Sequence, residues 1–308
     1  MSLVFVAGGC RKEPRGEVRE VIFEVRQGET TSQIAERLDE LNIISNPRRF
    51  SIAARLAKLD TKLQSGVYRL HTYMDEDSVL EVLSSGSIAT ISVTIPEGLT
   101  LTGITERLVK ACVVDSAAFY AAATDSSLLS EYNVPFGSFE GILYPDTYKF
   151  PVVVSEEMVV RIMASRFFDV AGPFMKNLSL DTLVIMASIV EREAYLDSER
   201  RVVASVFWNR LHKGMALESC ATVEYALPEH KENLTYADLR ISSPYNTYLN
   251  QGLPPGPICS PGKASLSAAA NPAKTDYLYF VSKGDGSHHF SRTAAEHERM
   301  KLKIKNTR

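Results

Sequence analysis

The sequence predicts an α+β protein of two domains behind a short N-terminal segment, and three observations carry that prediction. A strand–turn–helix unit near the start returns later at a constant offset. Eight apolar or small residues, Leu183 to Val190, run without Pro or Gly and end on two glutamates, Glu191 and Glu193. The last third is rich in Pro, Gly and Tyr loops and closes on short strands that form a hairpin. At 308 residues with 45% hydrophobic and 23% charged side chains, the chain is long and apolar enough to bury a sizeable core. A net charge of −3 lacks the basic face that a nucleic-acid partner requires. There is no Gly-rich phosphate loop, no His/Cys metal spacing and no Gly-x-Ser-x-Gly elbow, so the reading requires no metal and no cofactor.

The N-terminus looks truncated. Met1-Ser2-Leu3 resembles a cloning leader, and the apolar run Val4 to Cys10 stops at the charged Arg11-Lys12-Glu13-Pro14-Arg15. An apolar run ending in small residues before charge reads as the tail of an export or anchoring segment. Ala7-Gly8-Gly9-Cys10 is similar to a lipoprotein cleavage box with Cys10 as lipid acceptor; the end of a transmembrane helix fits equally. Residues 1–17 are assigned to this segment and a linker. The protein is expected at the plasma (inner) membrane, anchored upstream and facing the periplasm or extracytoplasmic space.

Val21 to Leu38 and Ile91 to Leu108 are two copies of one unit, matching at Gly28/Gly98, Thr30/Thr100, Ile34/Ile104, Glu36/Glu106, Arg37/Arg107 and Leu38/Leu108. Each reads as an alternating strand, a tight Gly turn, a hydroxyl N-cap and an amphipathic helix. The unit resembles half of a LysM-type glycan-binding module; strand–turn–helix units are also common scaffolds. The first copy continues through a helical stretch, Pro47 to Leu59, a returning strand, Gly66 to Leu70, and a helix, Asp75 to Leu83. Ser84-Ser85-Gly86-Ser87 is the linker candidate, which gives domains of 18–90 and 91–308.

Helical segments around Ser116–Ala123 and Ser126–Tyr132 lead to Phe139-Glu140-Gly141-Ile142-Leu143-Tyr144-Pro145-Asp146-Thr147-Tyr148-Lys149-Phe150. Aromatics interleaved with acids suit sugars, since rings stack on pyranose faces and carboxylates accept hydroxyl protons. An aromatic turn filling a core edge is the plainer alternative. A helix, Glu156–Phe168, then precedes the central stretch, for which Ser179 or Asp181 offers an N-cap.

A helix apolar all round is buried all round. At about 100° per residue, Glu191 and Glu193 diverge by roughly 200° and cannot share a face. Glu193 follows Ile189, Val190 and Met186 along the apolar face. A carboxyl held against apolar surface has its pKa raised and becomes a proton donor near neutral pH. On these residues alone, the plainer reading is favoured: both acids mark the helix surfacing into solvent beside Arg192, Glu199 or Arg200. A second helix, about Ser198 to Leu211, carries Asn209. Beyond it, Leu217 to Tyr225, Ser243 to Tyr248 and Gly252 to Gly262 read as rigid polar and aromatic loops, where sites usually sit. A short helix, Ser265–Asn271, comes before the strands Tyr277–Val281 and Ser287–Phe290.

Several long motifs in one order then resemble the endolytic murein transglycosylases of the MltG/YceG type, over nearly the whole chain. They are Glu140-Gly141-x-x-x-Pro145-Asp146-Thr147-Tyr148, Ala187-Ser188-Ile189-Val190-Glu191-x-Glu193, Val206-Phe207-x-Asn209-Arg210-Leu211, Tyr245-Asn246-Thr247-Tyr248 and Gly252-Leu253-Pro254-Pro255-Gly256. Asn271 to Thr275 and Tyr277 to Val281 extend the match. The resemblance implies a LysM-like module followed by a mixed α+β catalytic domain with a buried, lysozyme-like catalytic helix. It implies cleavage of MurNAc–GlcNAc β-1,4 bonds in nascent peptidoglycan strands, with 1,6-anhydroMurNAc ends, and cell-wall synthases as partners. It assigns the acid to Glu193. Glu191, Glu140, Asn209, Glu218, Thr222, Tyr245, Asn246 and Tyr248 become the supporting or substrate-binding candidates, with Asn209 orienting the acid. A hydrolysing muramidase, with Glu140 or Glu218 as second acid, and a non-catalytic peptidoglycan-binding scaffold are the alternatives.

The sequence departs from the family where Cys220-Ala221 stands for the usual Asp-Pro, and where Ala194 stands for a hydroxyl residue. Cys112, at a helix end, reads as a buried small hydrophobe. By resemblance, Cys220 and Cys259 lie in loops lining one cleft, and a Cys220–Cys259 disulfide is expected to tie those loops together.

Overall fold

The computed structural model describes residues 17–86, 89–176, 178–229, 231 and 234–306, so the N-terminal segment with Cys10, and Ser87 of the expected linker, lie outside it. The chain divides into two compact units: residues up to 91 together with 151–153, and residues 92–150 together with 154 onwards.

In the first unit, β1 (Glu20–Val25) turns Phe23 and Val25 inward and passes through Gly28 at φ +80°, a conformation open to glycine at no steric cost. Thr30 then caps α1 (Thr31–Glu40): its hydroxyl accepts from the Gln33 N–H while the Gln33 side chain accepts from the Thr30 N–H. Ile34, Ala35 and Leu38 form the buried stripe of α1. Asn46 caps α2 (Pro47–Leu56), with Pro47 at the first helical position where its missing N–H costs nothing. β2 (Gly66–His71) returns antiparallel to β1, from Val25 opposite Gly66 to Glu20 opposite His71. Asp75 caps α3 (Glu76–Ser85). Phe23, Leu38, Phe50, Tyr68, Leu70 and Leu83 are the buried centre.

The second copy of the repeat follows the same plan. β3 (Thr90–Thr94) leads through Gly98 at φ +79° to Thr100, which caps α4 (Leu101–Lys110) by accepting from the Gly103 N–H. Gly103 stands where the first copy has Gln33, so the reciprocal half of the capping box is missing here. Asp115 and Asp125 cap α5 (Ser116–Ala123) and α6 (Ser126–Glu131). β4 (Thr147–Pro151) pairs with β3, and α7 (Glu156–Ala171) follows under a Ser155 cap.

At the centre lies α8 (Leu180–Glu193), where all eight residues from Leu183 to Val190 are buried. Ser179 occupies its N-cap position, but its hydroxyl donates to Thr182 Oγ1 and accepts no backbone N–H. α8 packs against α9 (Asp197–His212), α10 (Cys220–Ala226) and α11 (Lys263–Ala270). β5 (Tyr279–Ser282) and β6 (His288–Ser291) form the antiparallel hairpin, and α12 (Ala294–Lys305) packs on both strands. No helix among the described residues is long and apolar enough to cross a membrane.

Four expectations change. Residues 220–226 are helical, not loop. The aromatic stretch after Phe139 is core: Phe139, Ile142 and Leu143 are fully buried, Tyr144 and Tyr148 nearly so, and Tyr148 OH donates inward to the Tyr144 carbonyl at 2.6 Å. Its end is β4, whose Tyr148 and Phe150 alternate inward. Cys112 is exposed, because at φ +57° just beyond α4 its side chain leaves the helix surface.

With its own buried helix and its own hydrogen-bonded hairpin, the second unit is expected to fold alone. Residues 91–308, expressed without residues 1–90, should give one cooperative thermal transition. A broad, non-cooperative melt would show that the boundary is wrong.

Candidate active site

Glu193 is the last residue of α8, and the chain leaves the helix at Ala194 in an extended conformation. The half-buried carboxyl meets the start of α10. Ser219 Oγ donates to Glu193 Oε1 at 2.6 Å, and the Ala221 N–H donates to the same oxygen at 3.4 Å. Ser219 sits at the N-cap position of α10 yet accepts no backbone N–H there; its side chain is turned to Glu193 instead. Ser219 is itself held by a buried hydroxyl chain. Its N–H donates to Thr247 Oγ1 at 3.0 Å, Thr247 Oγ1 pairs with Thr222 Oγ1 at 2.8 Å, and Thr222 Oγ1 donates to the Ser219 carbonyl at 2.8 Å.

Burial pushes the Glu193 carboxyl above the usual carboxylate range. The donors on Ser219 and Ala221 work against that rise, nearby Glu224 adds to it and His288 subtracts from it. Glu193 lines a cleft of about 460 Å³ together with Glu218, Cys220, Tyr248, Tyr279 and His297. Arg210 braces this wall. It donates to the carbonyls of Leu278, Ala216 and Leu217, pairs with Glu218 at 2.7 Å, and lies 4.9 Å over the Tyr279 ring, which stacks on His297. Tyr248 OH lies 3.1 Å from Cys220 Sγ.

The remaining candidates do other work. Glu191 turns away from Glu193, as helix geometry requires, into a buried ion pair with Arg200 at 2.9 Å, and its other oxygen accepts from the Gly262 N–H. Asn209 does not touch the acid: its amide donates to the carbonyls of Thr275 and Tyr277, tying α9 to the strand segment. Asn246, fully buried, donates to the carbonyls of Leu239 and Ile241 and shapes its own loop. Thr222 belongs to the hydroxyl chain. Tyr245 packs against Tyr225, ring centroids 4.9 Å apart.

The expected Cys220–Cys259 disulfide is absent, and both thiols are free. Cys259 is buried against α8, with its thiol donating to the Ser188 carbonyl at 3.4 Å. Cys220 opens α10 and lines the Glu193 cleft. The loop carrying Cys259 is already fixed by α8, for Ser188 Oγ accepts the Ile258 N–H at 3.1 Å.

Glu140 lies in a different cavity, of about 640 Å³, bounded by the first turns of α4, by Tyr120, by Arg192 and by α10 through Ala221, Glu224 and Tyr225. Gly141 makes its position possible: at φ +76°, it packs where a Cβ would come within 2.5 Å of Pro257 and 2.9 Å of Val184. Both Glu140 oxygens accept the Leu101 N–H, at 3.1 and 3.0 Å, and Tyr225 OH donates to one of them at 3.3 Å. Burial nevertheless pushes its pKa up to about 7. Glu140 and Glu193 therefore do not share a cavity, whereas Glu218 and Glu193 do. Among the described residues, no group of three or more His, Cys, Asp or Glu is placed to hold a metal ion.

Sequence reasoning missed Ser219, Thr247, Arg210 and Tyr279. Arg210 adjoins the chosen Asn209, and its five guanidinium donors made it the better brace.

A family model described as the YceG-like family matches residues 23–303, and the chain belongs to that family. It is 33% identical over 304 residues to an endolytic murein transglycosylase of Bacillus subtilis (strain 168), covering 92% of this chain and 84% of that protein. A protein of the same description from Streptococcus pneumoniae serotype 2 is 28% identical over 318 residues, covering 91% of this chain and 57% of the pneumococcal one. Among solved structures, the yceG-like protein lmo1499 from Listeria monocytogenes, determined at 2.6 Å, superposes with a TM-score of 0.63 at 34% identity, over 91% of this chain and 98% of that one.

Glu140 makes stability depend on pH. Its folded pKa of about 7 lies above the ordinary 4.5, so the folded state holds the proton more tightly than the unfolded state. Its contribution is fully present below pH 4.5 and is lost as pH rises through about 7. Stability should fall across that window by up to about 1.4 kcal/mol per pH unit from this group. Glu140→Gln should flatten that slope in thermal melts at pH 5 and pH 8; an unchanged slope would show that the proton sits elsewhere.

Proposed function

We propose that this chain is an endolytic lytic transglycosylase of peptidoglycan, with Glu193 as its acid and base. One observation carries the assignment: a carboxyl raised by burial stands at the end of the buried helix, holds its donors on Oε1 alone, and faces a cleft. Oε2 takes no hydrogen bond among the described residues and is the oxygen that carries the proton. The family and the described activity of its relatives supply the substrate class.

The chemistry follows from a single group. Glu193 Oε2–H gives its proton to the bridging glycosidic oxygen as the MurNAc C1–O bond breaks, which leaves an oxocarbenium-like sugar and a free hydroxyl on the departing GlcNAc. The resulting carboxylate takes the proton of the MurNAc C6 hydroxyl while that oxygen attacks C1. A 1,6-anhydro ring closes, Glu193 is reprotonated, and no water is consumed. Intramolecular attack needs no bound nucleophile because C6–OH is already positioned. Ser219 and Ala221 act at the middle of the cycle, when their donors stabilise the charged carboxylate. Glu218 in the same cleft supports a second reading, hydrolysis, since a hydrolase needs another carboxyl to activate water or attack C1. Mass spectrometry of the cut ends decides, because anhydro ends are one water lighter.

The substrate sets the address: peptidoglycan lies outside the plasma membrane, so the cleft is proposed to face the extracytoplasmic side. The first unit's strand–turn–helix repeat is proposed to hold glycan as LysM-type modules do, and synthases that make the strand are its proposed neighbours.

Glu193→Gln should lower cleavage by about 10²–10⁴-fold with the melting temperature little changed, since an amide cannot shuttle the proton. Glu191→Gln should do the reverse. It removes one of the two carboxylates that hold buried Arg200, leaving Asp197 at 2.7 Å, at a cost of about 1.5–3 kcal/mol in stability. If Glu191→Gln stopped turnover in a fully folded protein while Glu193→Gln did not, the acid would be two residues earlier.

Ser219→Ala should cost about 10- to 100-fold in kcat, the worth of a hydrogen bond to a charged group. Losing that donor also raises the Glu193 pKa further. Because the acid must be protonated to act, the alkaline fall of kcat/KM should move to higher pH. Ser219→Thr should restore both. A rate loss without a shift of the profile would mean that Ser219 serves the fold only.

A further inference from the structure

The cavity around Glu140 is larger than the Glu193 cleft and is used by no step above. It adjoins the acid through one residue, because Ala221 lines it while giving its N–H to Glu193. Arg192, the neighbour of Glu193 in sequence, lines it too. A group attached beside the scissile bond would lie within reach of it. The walls are mixed. Tyr120 is an exposed ring, Tyr225 a partly buried one, and Leu99, Ile258 and Pro228 add apolar surface. Such a lining suits amides and short side chains.

The charges of this cavity are unequal. Glu106, Glu140 and Glu224 face one cation, Arg192, and Arg192 is already paired with Glu224 at 3.1 Å. Glu140 is engaged by the Leu101 N–H and Tyr225 OH. Glu106, exposed on the second turn of α4, makes no ion pair or hydrogen bond among the described residues. An uncharged sugar offers this unpaired carboxylate only hydroxyl hydrogen bonds, whereas a cationic group offers a charge as well. Peptidoglycan, however, carries a peptide on each MurNAc, the sugar whose C1 is attacked, and the diamino acid of that peptide bears an ammonium group.

We propose that the cavity beside α10 receives the peptide stem of the MurNAc being cut, and that Glu106 pairs with the ammonium of its diamino acid. The proposal rests on the transglycosylase reading for the identity of the strand. It makes the enzyme sensitive to the peptide as well as to the glycan.

The direct test is binding, which needs no turnover. Isothermal titration of the full chain with N-acetyl-L-alanyl-γ-D-glutamyl-L-lysine, whose capped N-terminus stands in for the link to MurNAc, and with the same peptide acetylated on the lysine side-chain amine as well, should show the free amine bound about fivefold more tightly, the worth of an exposed ion pair. Glu106→Gln should bring the two affinities together. Tyr225→Phe, which keeps the ring, should leave the amine preference in place. On strands, wild-type kcat/KM should exceed that on strands stripped of peptide, mostly through KM. Equal affinity for the two peptides, or an amine preference that survives Glu106→Gln, overturns the proposal. If no strand of either kind is cut while the amine preference holds and depends on Glu106, the catalytic reading fails and the peptide site stands.

Discussion

The hydrogen bond from Ser219 Oγ to Glu193 Oε1 joins the end of α8 to the start of α10, and much of the second unit is arranged to hold it in place. A carboxyl at a helix end would ordinarily turn to water. Here it is met by a hydroxyl whose own backbone is fixed by Thr247 and Thr222, all three residues being at most 2% exposed. The Thr247 carbonyl also accepts the Glu218 N–H, which steadies Glu218 at φ +52° on the cleft wall. Asn246, one residue earlier, fastens that loop to the carbonyls of Leu239 and Ile241. A short polar chain thus reaches from a remote loop to one carboxyl oxygen. Its cost is bounded because each buried hydroxyl in it finds a partner.

Burial and hydrogen bonding pull Glu193 in opposite directions, and the balance suits the proposed chemistry. Desolvation favours the neutral acid that must give a proton; Ser219 and Ala221 favour the carboxylate that must take one. A carboxyl with only the first influence would be the weaker acid and would give up its proton slowly. One with only the second would be ionised before the strand arrived.

What was legible in the sequence was what depends on neighbours along the chain. The unbroken run Leu183 to Val190 demanded a buried helix, and the helical angle between Glu191 and Glu193 required them to part. The Gly28 and Gly98 turns and their threonine caps were visible because the repeat printed them twice. What was not legible depends on carbonyls far away. Nothing near Asn209 says that its amide will meet Thr275 and Tyr277. α10 spans seven residues, too few for a helical period to show, and its N-cap serine spends its hydroxyl on Glu193. β4 hid inside an aromatic motif that suggested sugar stacking, although the rings were needed for the core. The disulfide failed for a related reason. Two cysteines in loops of one cleft need not face each other, and Cys259 is committed to the backbone of α8.

The three residues that end α8 show how one turn of helix serves three needs. Glu191 goes inward to Arg200 and the Gly262 N–H, fastening α8 to α9 and to the start of α11. Arg192 goes to Glu224 on α10. Glu193 goes to Ser219 and Ala221 at the head of the same helix. Arg192 and Glu193 therefore grip α10 at two points about one turn apart, and the grip has an electrostatic consequence. Glu224 on its own raises the Glu193 pKa by repulsion. Burial and the two donors outweigh it, so the acidity of Glu193 is left chiefly to them. The Arg192–Glu224 pairing occupies the one cation of the neighbouring cavity and leaves its unpaired charge acidic. One surface ion pair, worth little as stability, thus shapes the charge of the cavity beside α10.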